Sequence, residues 1–486
     1  MIDRNSPLPI YYQLKLIIKA QIEDGVLRPG DRLPTELMLC KTYNISRAPV
    51  RQALSDLVQD GYIYRRPGQG TFVTARKDSG THVKTVLHLL AYDLRWVALI
   101  EHAVQRWNTL NPMQGVRLEL TMPEQAEFHQ TLLSALRRGD VPDLVSIDYV
   151  WVTHYARLGY LAPIDELDPG FSDWLYGELE EPVLRNHVVD GLLYGLPIQA
   201  DVTGFWYRRD WFAEAGVQPP ETWDQWVSLL MYFDSPDARD RFGHQYPLAF
   251  PVSTATGEAT LNLLLPFIWA AGSGLQAVDG HLDFEGPAIT LALNFLREIA
   301  AYLPEETPTF HWWDPPRLLA QGAVPMTLGG SYEWPTILEA SAWEDEAEMI
   351  QHLGFVPIPR PELGCKAVAS LGGTTWAIPR QAAPKPVLLE ILRLVMSPEI
   401  VLPFCEKNLQ ISSLRSVNAH LTKGRHSWMR TVLPLLPLSR PRPMLAEYVQ
   451  VSRFLQQMFE QIVWQGAPAQ DTIDQTAHCL ALLLGE

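Results

Sequence analysis

Val50, Ala53, Leu54, Leu57 and Val58 recur at three- and four-residue steps and stop before Gly61, so they form one apolar stripe on a helix. Ser46 is placed to cap that helix, and Pro49 falls in its first turn, where a missing N–H costs nothing. With the stripe turned toward a core, Arg47 and Arg51, one turn apart, project from the opposite side near the helix start. An earlier series, Ile10, Leu14, Ile17, Ile18 and Ile22, marks an amphipathic helix ending near Gly25. Pro29-Gly30 punctuates the turn that follows, and Thr35 can cap a second, short helix through about Tyr43. Two short helices before an exposed cationic helix start make the layout of a helix-turn-helix, whose second helix enters the major groove N-terminus first. YIYRRPGQGTFV then reads as two β-rich runs joined by Pro67-Gly68-Gln69-Gly70, with Arg65-Arg66 at the base of the hairpin. The pattern predicts a winged helix-turn-helix that meets duplex DNA.

Charge divides the chain in the same place. Residues 1–77 hold twelve Lys and Arg against seven Asp and Glu, while the remainder holds 27 against 48. A basic head on an acidic body suggests that only the head meets a polyanion. All 16 tryptophans lie at or beyond Trp96, so the two parts differ in composition as well. The length of 486 residues calls for at least two units, and 47% hydrophobic content for packed ones. The N-terminus carries no apolar signal region and no stretch is long enough for a bilayer crossing, which predicts a cytoplasmic protein. The four cysteines, Cys40, Cys365, Cys405 and Cys479, are scattered and read as reduced thiols rather than a zinc site or disulfide framework.

The run from Gly30 to Val73, with LPTE, SRAPVRQAL and GQGTFV in order, resembles the N-terminal domain of the GntR family of bacterial transcription regulators. That resemblance implies a homodimer reading a pseudo-palindromic operator. It implies that Arg47 and Arg51 contact bases or phosphates, that Ser46, Ala48 and Pro49 lie against the backbone or groove, and that Gly68, Gln69 and Gly70 form the wing tip. Thr35 and Arg32 belong to the same expected interface. Family members often carry an arginine directly after the glutamate of the turn; here that position is Leu37, and Arg32 is placed to supply substitute charge.

Beyond the polar link ARKDSGTHVK, strand-like and helix-like runs alternate, beginning with TVLHLLAYD, RLELTM and DLVSIDYV, as in an α/β body. The stretch VVDGLLYGLPIQADVTGFWYRRDWFAEAGVQPPETWDQW resembles sugar-type extracellular solute-binding proteins. GDVPDLVSIDYVWVTHYARLGYLAPIDEL, GAVPMTLGGSYEWP and LGGTTWAIP follow the same family pattern in order. The fold class expected is therefore α/β, an N-terminal winged helix-turn-helix plus a two-lobed α/β body like the type II periplasmic binding proteins. The expected domains are 1–76 for the DNA-binding head, 77–83 for a linker and 84–486 for the effector domain. Lobe I is expected at about 84–198 and 371–412, and lobe II at about 199–368 and 415–486.

A sugar site needs flat apolar surfaces against ring C–H faces and partners for hydroxyls, because a buried hydroxyl without one is costly. At positions matching the family, the candidates are Tyr92, Asp93, Asp148, Trp151, Asp201, Trp312, Tyr332, Trp334, Gly373 and Trp376. A phosphate loop, an H-E-x-x-H helix and a G-x-S-x-G elbow are all missing from the sequence, and the thirteen histidines show no ligand spacing. No enzymatic turnover, no metal and no cofactor are expected. The reading is a sugar-responsive regulator whose partners are operator DNA and a mono- or oligosaccharide. The competing readings are a carbohydrate-binding protein with no regulatory role and a GntR-type regulator with a pyridoxal-phosphate enzyme-like domain. The second would need a Schiff-base lysine in a phosphate cup, and the lysine-poor body offers no such context.

Overall fold

The computed structural model describes residues 2, 10–23, 26–59, 61–66, 70–74, 83–91, 94–123, 128–272, 274–275, 277–278, 281–284, 287–382, 385–424 and 427–485. Two compact units divide the chain, one of residues 1–132 with 390–395, the other of 133–389 with 396–486. No helix among the described residues is long and apolar enough to cross a membrane.

The first unit opens with helices α1 (Ile10–Glu23), α2 (Glu36–Tyr43) and α3 (Arg47–Gln59), then strands β1 (Ile63–Arg66) and β2 (Gly70–Val73). Val50, Ala53, Leu54 and Leu57 of α3 are fully buried against Leu14 and Ile18 of α1, Leu39 of α2, and Ile63 and Val73 of the hairpin. Val58 is 36% exposed. Eight residues on from Val50 it stands about 80° round the helix, at the edge of the stripe. The Thr35 hydroxyl accepts from the Met38 amide and caps α2. Asn44, left-handed at φ 52, ends that helix and turns the chain into α3.

The hairpin is antiparallel, with Ile63 opposite Val73 and Arg66 opposite Gly70. A third segment joins it: Arg32 bridges to Phe72, the Leu33 amide donates to the Thr71 carbonyl at 2.9 Å, and the Val73 amide donates to that of Asp31 at 2.9 Å. The turn before α2 is thereby tied to the wing. The same unit holds parallel strands β3 (Val83–Leu90) and β4 (Gly115–Thr121), joined through helix α4 (Leu94–Leu110). Trp96, Val97, Ile100, Ala103, Val104 and Trp107 make the buried face of α4.

The second unit contains, in chain order, β5 (Leu144–Asp148), β6 (Leu196–Pro197), β7 (Gln199–Arg208), helix α5 (Glu258–Ala270), β8 (Met326–Gly330), β9 (Leu353–Val356), β10 (Ala369–Gly372), β11 (Thr374–Ala377), β12 (Ile411–Ser412), β13 (Ser439–Arg440) and helix α6 (Tyr448–Phe459). β11 lies antiparallel between β5 and β6. β7 is the spine of a second sheet, pairing antiparallel with β8, β9, β10 and β12, while β10 also pairs parallel with β13. Its residues are buried almost throughout, as a strand covered on both faces requires.

The two sheets are stitched together at one place. Only Ile198 separates β6 from β7, and only Gly373 separates β10 from β11, so the chain passes between sheets twice, side by side. Nearby, the Ser413 hydroxyl donates to the Pro197 carbonyl at 2.6 Å just after β12. Gly373 adopts φ +146, and a Cβ there would stand 2.7 Å from the Tyr149 ring and 3.0 Å from the Gln199 carbonyl oxygen. Only glycine fits both demands.

Candidate functional site

In the first unit α3 presents Ser46, Arg47, Ala48 and Arg51 as exposed residues at its start. Pro49 is buried, because its ring falls on the core side of the first turn. Glu36, at the start of α2, holds the cations in place: its carboxylate lies 3.2 Å from Arg51 Nε and 3.9 Å from an Arg65 Nη. Arg66 reaches over the stacked rings of Tyr64 and Phe72, 5.3 and 5.7 Å from their centroids. Gly70, at φ +120, lies beneath the Arg32 guanidinium, where a Cβ would come within 2.7 Å of Nε. The exposed Thr35 spends its hydroxyl on the helix cap. Gly68 and Gln69 lie outside the described residues. Leu37, directly after Glu36, is 50% exposed in the first turn of α2, as is Met38 beside it at 56%.

The second unit gathers polar and aromatic groups where the sheets are stitched. Asp201 on β7 is 6% exposed and accepts from Gln199 Nε2 at 2.5 Å. Asn262, on α5, faces both Gly372 and Asp201: a Cβ on Gly372 would meet the Asn262 amide and the Asp201 Cβ at 3.7 Å. Asn262 also lies near the Tyr332 hydroxyl, whose pKa burial and the charges of Glu333 and Asp201 push well above the phenol range. Trp312, half-buried, stands edge-on to Tyr332 with centroids 5.7 Å apart.

A partly buried ion cluster adjoins these groups. Arg442, 3% exposed, donates from Nη2 to Asp148 Oδ1 at 3.0 Å and from Nη1 to Glu258 Oε2 at 2.8 Å. Glu258 also accepts from the Tyr448 hydroxyl at 2.6 Å and the Ser452 hydroxyl at 2.5 Å, both on α6. Asp148, at the end of β5, accepts from the Val150 amide as well. Burial raises the Asp148 pKa, and Arg442 works against that rise. The arrangement offers half-covered ring faces beside donors and acceptors, the chemistry of a polyhydroxyl ligand.

Of the residues the sequence singles out, Asp148, Asp201, Trp312, Tyr332 and Gly373 come together here. Tyr92 and Asp93 lie outside the described residues. Trp334 is 1% exposed and stacks on Trp428 at 4.4 Å and on Trp206 at 5.9 Å, in an indole cluster that leaves no face for a ligand. Trp376, wholly buried on β11, and Trp151, 7% exposed, are likewise enclosed. Tryptophan brings a large apolar area that a core accommodates readily. Gln199, Glu258, Asn262 and Arg442 carried no sequence signal. Glu258 reads as an ordinary first-turn acid, Arg442 as an arginine between two prolines, and Asp148 and Arg442 meet only across 294 positions of chain.

Residues 105–423 match the family model described as bacterial extracellular solute-binding protein. The chain belongs to this family. Ahead of the solute-binding domain, residues 10–73 match the model of bacterial regulatory proteins of the gntR family, so a GntR-type helix-turn-helix stands at the N-terminus. The HTH-type transcriptional repressor NagR of Bacillus subtilis is 49% identical over 76 residues, 16% of this chain and 31% of that protein. The chain spans about a third of the length of this repressor and of a second Bacillus subtilis regulator that it matches. A lactose-binding protein of Rhizobium radiobacter is 23% identical over 318 residues, 63% of this chain and 68% of its own length. Among solved structures, an ABC transporter solute binding protein of Thermotoga lettingae, bound with α-D-tagatose, superposes with a TM-score of 0.69 at 20% identity. It covers 82% of this chain and all of its own. The solute-binding domain thus has the fold of that class.

Proposed function

We propose that this protein is a GntR-type DNA-binding transcription regulator whose solute-binding domain senses a carbohydrate and, on binding it, alters affinity for an operator. The genes controlled are those of sugar uptake or catabolism, the active form is a cytoplasmic homodimer, and there is no turnover. The observation that carries the reading is one chain holding both an exposed Arg47–Arg51 helix start and a Trp312–Tyr332 pair beside Asp201. Relatives named as sugar-binding proteins and a repressor, each matching a different part of the chain, support it. The mechanism is linkage: if the ligand prefers one conformation of the solute-binding domain, and DNA prefers one arrangement of the GntR domains, each changes the affinity for the other.

The test separates the two halves. Maltose, lactose, D-tagatose and ribitol are screened by thermal shift, with at least one expected to raise the melting temperature, because a ligand of the folded state stabilises it. Arg47→Ala is expected to weaken binding to the promoter duplex upstream of the gene roughly 5- to 150-fold, as loss of a base contact worth about 1–3 kcal/mol does, leaving saccharide affinity unchanged. No response to any saccharide would overturn the sensing half, and unchanged duplex binding the regulatory half.

A further inference from the structure

The buried polar atoms around the stitched crossing that have no hydrogen-bond partner among the described residues include Gln199 Oε1, Asn262 Oδ1 and Arg442 Nε. Such atoms cost roughly 1–3 kcal/mol each when left unmet, and native proteins hold few of them. Two of them, on Gln199 and Arg442, are held in orientation by their neighbours. Gln199 turns its amide nitrogen to Asp201, because a carboxylate only accepts, so its carbonyl oxygen points the other way. Asn262 Oδ1 stands by the Gly372 backbone, close to Asp201, with no partner in reach. Arg442 has its two terminal nitrogens anchored by Asp148 and Glu258, and Glu258 is itself held by Tyr448 and Ser452. The buried guanidinium cannot turn to satisfy Nε without giving up one of these two ion pairs.

We propose that Arg442, Asn262 and Gln199 are the hydroxyl-reading residues of the ligand site, Arg442 Nε donating to one ligand oxygen while Asn262 Oδ1 and Gln199 Oε1 accept from neighbouring hydroxyls. This rests on the saccharide reading above and deepens it. The ligand class is a polyol that presents neighbouring hydroxyls to a fixed set of one donor and two acceptors. Trp312 and Tyr332 supply the apolar wall beside them. Asp148 enters indirectly: one of its oxygens is spent on Arg442 and the Val150 amide, so Arg442 positions it.

The experiment uses the full chain and whichever of maltose, lactose, D-tagatose and ribitol the wild type binds. Arg442→Lys keeps the charge between Asp148 and Glu258 but removes the planar fork, and Asn262→Leu keeps the shape but removes the acceptor. Each is expected to weaken saccharide binding by calorimetric titration at least tenfold, with duplex binding in the absence of saccharide unchanged as a measure of intact fold. Wild-type affinity in both variants overturns the proposal. If either variant fails to fold, hydrogen exchange of the wild type decides. Saturating saccharide is expected to slow exchange in the segments around 199, 262 and 442, and protection confined elsewhere overturns the assignment. A wild type that binds none of the four sugars contradicts the saccharide reading itself, a result distinct from failure of these three residues.

Discussion

At the residue scale, what reached the surface of the sequence was whatever a local motif could carry. Asp201 and Tyr332 stand inside strand and turn patterns that a family resemblance can match, and the structure sets both at the crossing. Trp334 sits in the same GSYEW segment yet turns into the indole cluster, because aromatic type alone does not say which face of a turn is covered. Arg442 and Glu258 were invisible: their significance is a pairing between distant segments, and no short stretch records it. His187 is a further residue of this kind. Its ring is wholly buried, meets Tyr149 edge-on at 4.4 Å and is pushed down to about 4 by burial, the Val183 carbonyl offsetting only part. In the unfolded chain the imidazole takes a proton near pH 6.5, so acid favours unfolding between about pH 6.5 and 4 and adds nothing below. Urea midpoints should report about 2 kcal/mol of stability lost through this group between pH 7.5 and pH 5. In His187→Gln that part of the pH dependence should vanish; a variant with the wild-type slope would remove the imidazole from the account.

At the element scale, the stripe of α3 and the cap of α2 were legible because helix periodicity and capping chemistry are local. The third segment of the wing was not. Asp31 to Leu33 read as turn, and only their hydrogen bonds to Thr71 and Val73 make them part of the hairpin. Helix α1 has a role that its apolar series did not disclose. Leu14 and Ile18 face the GntR core, while Tyr12, Gln13 and Lys15 are also buried, so the helix is covered on two sides. Lys19 reaches 3.5 Å from Glu101 of α4 and lies 5.5 Å from the Tyr62 ring at the base of the wing. Such a partly buried pair is worth about 1 kcal/mol or less in stability, but it sits where the head meets the helix that follows β3. Glu101→Lys, which sets two cations against each other, should reduce the effect of saccharide on duplex affinity several-fold while leaving each affinity alone within a factor of about three. Adding Lys19→Glu should restore the effect. A coupling factor unmoved by the single substitution would place the route elsewhere.

At the scale of the whole molecule, the division of labour was plain from charge and tryptophan content, since a basic head and an acidic body are properties of long stretches. The α/β class was legible from alternating runs, but which strands pair on either side of Ile198 and Gly373 needed the fold, because strand partners lie far apart in the chain. The central claim is that occupancy of the crossing site and grip on DNA are one linked equilibrium. The direct measurement is fluorescence anisotropy of the labelled promoter duplex, titrated with protein at fixed salt, with and without a saturating saccharide found by thermal shift. The account predicts that duplex affinity changes roughly 5- to 150-fold, and that saturating duplex changes saccharide affinity by the same factor. Identical duplex affinities in the presence and absence of bound saccharide would contradict it.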